Sequence, residues 1–187
     1  MSRDRFAELM EDAVNALPSD LKAVLRIVED PEVDEAGRVR LAGSLLHVLS
    51  RGTCVPGVRG PLQHVGSVML IRLALEEARK TSPEAFAEHV ESEPELLTDL
   101  DEQLELARSF LGEGMKVLED AASKLEKLNF EGHSATECVR DTESGTWLYD
   151  AVHEAIVETI EIDEDEVHRD LKDIDRVANN LKARARK

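Results

Sequence analysis

Aromatic side chains are scarce in this chain: four Phe, one Trp and one Tyr among 187 residues. Any core must therefore be built mainly from Leu, Val, Ile and Ala. Cysteine is nearly absent. Cys54 and Cys138 stand far apart, which excludes a disulfide framework and a cysteine-based zinc pattern. Basic residues are outnumbered, giving a formal charge of −17 that argues against broad nonspecific binding to nucleic acid or anionic membranes. Long apolar runs are missing as well. The longest, near Val65 to Leu75, is interrupted by Arg72 and is too short for a transmembrane segment. Residues 1–17 carry Asp and Glu among their apolar positions, unlike a signal peptide. The expected setting is a reduced, soluble, cytoplasmic one.

What the chain does have is helical periodicity, and few alternating β-branched runs. Leu97, Leu104, Leu111, Leu118 and Leu125 recur at seven-residue intervals, with Leu100, Ala107, Gly114, Ala121 and Leu128 between them. This 3-4 spacing predicts a coiled-coil-like helix with a narrow seam, whose small residues admit a close partner. Gly112 and Gly114 either allow a close crossing or break the helix in two. From near Thr146 a second long helix is expected, with Leu148, Val152, Ile156 and Ile160 as one stripe and Val167, Leu171, Ile174, Val177 and Leu181 as the next. The acidic run Asp163 to Glu166 between the stripes reads as an exposed face or a break. The two segments would form an antiparallel pair. Residues 129–145 read as a partly irregular connection.

The N-terminal half reads as shorter helices. One covers residues 4–16. Another runs from Ser19, as N-cap, to Val28, and a third from a cap at Asp34 to about Leu49. Three glycines and two prolines between Arg51 and Pro61 require a turn or loop. A helix apolar on most faces, from about Leu62 to Arg79, is the expected centre of this half. The fold class is all-α: an irregular helical bundle with an N-terminal helical hairpin and the two long C-terminal helices. Residues 1–92 and 93–187 are its two regions, or parts of one continuous domain.

Charge is segregated. Residues 36–75 hold five Arg and no acid, residues 141–175 hold thirteen acids against two bases, and the last twelve residues return to +5. This pattern fits internal balance, an anion or acidic partner at the Arg51 and Arg59 turn, or steering of a basic partner by the acidic half. Asp150 and His153, and Asp165 and His168, are three apart, a spacing that puts two metal-ligating groups on one helix face. Asp stands where di-metal bundles use Glu, and a solvated polar face is the plainer alternative. Cys54 lies near Arg51 and Arg59, which could activate a thiolate, and His47 precedes it by seven residues. No third orienting group accompanies them. His89 and His133 read as exposed. Trp147 and Tyr149 read as core anchors or as a contact hot spot.

Leu45 to Ser50, Val55-Pro56 and the apolar stretch Leu62 to Leu75 are the residues through which positions 21–78 resemble the YkvA-like domain. That is a small bacterial helical family of unknown biochemical function. Ser50 and Pro56 fit its turn. Thr53, Gly57, Gly66 and Ser67 stand where the family carries Asp. The resemblance therefore implies a helical hairpin and no reaction.

Together these readings point to a non-catalytic regulatory or adaptor protein. Its expected partner-facing residues are Leu97, Leu104, Leu111, Leu118, Leu125, Trp147 and Tyr149, used toward a protein partner or a second copy. No cofactor is implied. The alternative is a metal- or anion-dependent enzyme built on the Asp/His helix or the Arg-rich turn.

Overall fold

The protein is all-α, apart from one two-stranded hairpin, in a computed structural model that describes residues 2–187. Helices α1 (Ser2–Asn15) and α2 (Leu17–Glu29) meet almost without a linker. Pro18 lies in the first turn of α2, where its missing N–H costs nothing. Ser19 is thus inside the helix rather than its cap. Asp34 does cap α3 (Glu35–Leu49), its carboxylate accepting from the amides of Ala36 and Gly37. The turn after α3 leads into α4 (Pro61–Thr81), which lies antiparallel against α3 as a hairpin and is buried on nearly all sides.

Within α4 sits a charge that the packing encloses. Arg72 is 1% exposed. It donates to Asp20 Oδ2 and to Gln103 Oε1, both at 2.7 Å, while its Nη1 has no partner. Burial pushes the Asp20 carboxyl above its usual range, outweighing the pull of the Arg72 guanidinium beside it.

The leucine-heptad segment does not form one long helix. After α5 (Pro83–Ser92), it runs from α6 (Pro94–Leu97) through α7 (Leu100–Leu111), a 3-10 turn at Gly112–Gly114 and α8 (Met115–Ala122) to a second 3-10 turn at Leu125–Lys127. Both roles open to its glycines are realised. Gly112, at φ +54, takes the left-handed conformation that ends α7. Gly114 lets α12 (Ile174–Ala185) close in: a Cβ there would stand 2.9 Å from Leu181 Cβ. The chain then forms a hairpin, β1 (Asn129–Phe130) with β2 (His133–Ser134), and α9 (Ala135–Arg140), which Ser134 and Glu137 open as a reciprocal capping box.

The last segment is also divided. α10 (Thr142–Glu158) ends before an acidic linker, and α11 (Glu164–Asp170) restarts behind Asp163, whose side chain accepts from the Glu166 amide. Of the alternatives open for the two long segments, the breaks are the ones realised, so each is a succession of shorter helices. Left-handed Gly112 and the capping Asp163 stop the periodic stripes from continuing as single rods.

One hydrophobic core runs from Phe6 to Leu181 and draws on both regions of the chain. Leu97, Leu104, Leu111, Leu118 and Leu125 all lie inside it. The seam is filled by the chain's own helices, which removes these five leucines from any surface. No helix among the described residues is long and apolar enough to cross a membrane.

Candidate functional site

With the leucine seam enclosed, two adjoining surface features stand out as candidates. The first is the outer face of α10. Val157 is 83% exposed and Tyr149 is 45% exposed. The Tyr149 ring lies 4.2 Å from that of His153, one turn on, and His153 Nδ1 meets the Tyr149 carbonyl oxygen at 2.8 Å. Tyr149, His153 and Val157 thus form a ridge at four-residue spacing. Beside it, one residue on, runs a row of exposed carboxylates at Asp150, Glu154 and Glu158. Elsewhere part of the acidic surface is balanced in place: Glu76 pairs with Arg108 at 2.8 Å, Glu35 with Arg140 at 2.6 Å, and Asp101 with Arg79. Among the described residues no base pairs with the α10 row.

Trp147 is not part of this face. It is half-buried, stacked on His133 with ring centroids 4.1 Å apart and 6.3 Å from Phe130. His133 Nδ1 lies 3.0 Å from Ser144 Oγ. Trp147 therefore anchors α10 to the β-hairpin, and His133 is packed rather than exposed. His89 is likewise enclosed, 2.8 Å from Asp30 Oδ2.

The second feature is a cleft of about 490 Å³ where the Arg-bearing turn faces the linker between α10 and α11. One wall holds Arg51, Gly52 and the start of α4 with His64. The other holds Ile160, Glu161, Asp163 and Glu166. Ser67 lines the cleft one turn below His64, itself only 6% exposed. Burial pushes the His64 imidazole below its usual range and does the same to His47, which packs behind Gly52 with its Nε2 unpartnered. Both histidines are therefore biased toward the neutral form. Arg59 is exposed and does not line this cleft. Of the two arginines of the turn, Arg51 alone lines the cleft.

The metal reading gains nothing from the geometry. Asp150 and His153 lie on α10, whereas Asp165 and His168 lie beyond the linker on α11, where His168 Nδ1 meets Glu11 Oε1 at 2.9 Å. Among the described residues no group of three His, Cys, Asp or Glu side chains is placed to hold a metal ion. Cys54 is no activated nucleophile either. Desolvation pushes its thiol up to about 12, and the neighbouring arginines do not offset the burial. Native protein at pH 8 is accordingly expected to alkylate very slowly at Cys54 with iodoacetamide, and rapidly once unfolded in urea. Peptide mass spectrometry over time checks this; equal rates in both states would contradict the burial.

In the sequence, Ser67 stands out only as a departure from an acidic position of the resembled family. Nothing local marks it as a cleft residue, because its neighbours across the cleft lie some ninety residues away. Comparison with protein-family models, with curated proteins and with solved structures gave no match.

Proposed function

We propose that this is a non-catalytic regulatory or adaptor protein that associates with a basic amphipathic helix through the outer face of α10. The observation that carries the reading is the ridge of Tyr149, His153 and Val157 flanked by the unpaired carboxylates of Asp150, Glu154 and Glu158. An isolated exposed valine needs no explanation. A valine in line with an aromatic ring, beside a row of uncompensated charge, matches the way a helix docks on another: an apolar ridge packs, and charge at its margin selects orientation. The occupant is basic because the face and the segment around it are acidic. Long-range attraction would speed encounter and weaken with added salt.

The test uses a fluorescein-labelled helical peptide with leucines on one face and lysines beside them, read by anisotropy. Saturable binding is expected, weakened by salt. Val157→Glu is expected to lower affinity by about tenfold or more, the loss of a central apolar contact. Glu154→Lys combined with Glu158→Lys should do the same by charge reversal. Equal binding of a peptide of identical composition but scrambled pattern would overturn the proposal, since only bulk charge would then be recognised.

A further inference from the structure

The cleft between the Arg51 turn and the α10–α11 linker is separate from the helix-docking face, and its electrostatics are unusual. Opposite charges occupy its facing walls: Arg51 on one, Glu161, Asp163 and Glu166 on the other. Yet no ion pair crosses between them among the described residues. Glu166 pairs instead with Arg169, at 3.3 Å on its own helix, and Asp163 accepts from the Glu166 amide. Among the described residues Arg51 has no ion-pair partner, and its backbone holds φ +52, a conformation uncommon for a side-chain-bearing residue.

The Arg51 wall has a second source of positive potential. α4 is 21 residues long and starts in the cleft at Gly60 and Pro61 with no side-chain cap, so its first turn carries the positive partial charge of a helix N-terminus. Asp170 Oδ1 is engaged with Arg169 at 3.1 Å while its Oδ2 stands beside Gly60, offsetting part of this potential without capping the amides. Ser67 supplies the independent sign of a ligand. It is more than nine-tenths buried and lines the cleft, and among the described residues its hydroxyl has no hydrogen-bond partner. Some helical hydroxyls bond back to their own helix, as Ser44 does to the Leu41 carbonyl at 2.6 Å and Thr146 to that of Thr142 at 2.9 Å, whereas Ser67 does not. A hydroxyl with no intramolecular partner on the wall of a polar cleft is free to bond a ligand there.

We infer that this cleft binds a small zwitterion of the amino-acid class. Its carboxylate meets Arg51 and the α4 N-terminus, and its ammonium meets the Glu161 wall. Ser67 hydrogen-bonds from the floor. The methylenes between the two charges pack on Val48, Ile160 and Ile162, which also line the space. The volume is in the range of small-molecule sites. A ligand of one sign would satisfy one wall and face repulsion from the other, so the site should discriminate by charge pairing.

The experiment is a ¹H–¹⁵N titration of the full chain with 5-aminovalerate and 6-aminohexanoate as zwitterions, and with pentanoate and pentylamine as single-charge analogues. Saturable shifts are expected for the amides of Gly52, His64, Ser67 and Ile162 with the zwitterions, and affinity about tenfold weaker for either single-charge analogue. Arg51→Gln and Glu161→Gln, both at exposed positions, should each weaken zwitterion binding several-fold while leaving the rest of the spectrum in place. No saturable shift at these amides in the wild-type chain with either zwitterion overturns the proposal. So does a single-charge analogue that binds as tightly as a zwitterion, because one wall would then suffice.

Discussion

Gly43→Ala is expected to destabilise the protein by about 3 kcal/mol or more, at the upper end of what overpacking costs. The reason is a contact between backbones. A Cβ on Gly43 of α3 would stand 2.0 Å from the Leu125 carbonyl oxygen and 2.5 Å from its carbon. A crowded side chain can rotate away; a peptide group in a 3-10 turn cannot move without dragging the turn with it. Leu125 is itself core, so displacing its backbone also loosens apolar packing. Gly37, on the same helix, serves as the control. Its Cβ would meet the Ala78 Cβ at 3.0 Å, a tighter than usual contact that a small helix shift relieves. The gain in helix propensity, up to about 1 kcal/mol, works in its favour. Thermal unfolding should show Gly43→Ala lower by about 6–12 °C and Gly37→Ala close to wild type. A Gly43→Ala melting point within a degree or two of wild type would mean that the Leu125 turn does not lie against α3.

The second large effect is at the buried charge. Arg72→Met is expected to cost about 3–5 kcal/mol, because it leaves Asp20 enclosed without its counter-charge and removes the donor that Gln103 Oε1 accepts from. Removing both charges together should be much milder. Arg72→Met with Asp20→Leu deletes the desolvation penalty along with the pair, and Arg72 already carries one unpartnered nitrogen that an apolar replacement would eliminate. The pH dependence separates this cause from lost packing. Asp20 has a folded-state pKa raised by burial above its ordinary 3.8, and losing Arg72 raises it further. A carboxyl raised in the folded state contributes stability that is complete below the unfolded pKa and is lost as pH rises through the folded one. The deficit of Arg72→Met relative to wild type should therefore shrink as pH falls toward 4, and it should be largest at neutral pH. Urea melts at several pH values measure it. A deficit independent of pH would assign the cost to packing alone.

These two sites show different degrees of legibility in the sequence. Arg72 stands out as the one charge within the longest apolar run, and its interruption of that run could be seen at once. Its partners could not. Asp20 and Gln103 lie on α2 and α7, and nothing in their local spacing distinguishes them from the many other polar residues nearby. Gly43 carried no local signal, since a glycine between Ala42 and Ser44 in a helix looks like a mild cost rather than a required close approach. Gly114 was legible in part: the heptad placed it on the seam, and the seam is where α12 comes closest. Ser134 and Glu137 spelled out a capping box, yet the polar residues around them gave the segment the look of a loop.

The candidate site divides in the same way. Tyr149, His153 and the acidic row of α10 follow from helical spacing alone, because they are neighbours on one helix. The cleft does not, because its walls come from turns a hundred residues apart. Which leucines would be available was equally beyond periodicity. A 3-4 repeat specifies that a seam will be covered without specifying by what.

Composition and period alone therefore determined that this protein is all-α, that its core is aliphatic, that α4 lies at its centre and that its C-terminal half carries uncompensated acid. These are properties of single segments, set by side-chain burial and helix geometry. The tertiary structure decided that the leucines close inward, that the long periodic stripes break at Gly112 and Asp163, and that Arg51 faces Glu161 across an open cleft. Those outcomes depend on which distant surfaces compete for the same apolar stripe and on where one backbone must pass another, and neither is written in local spacing.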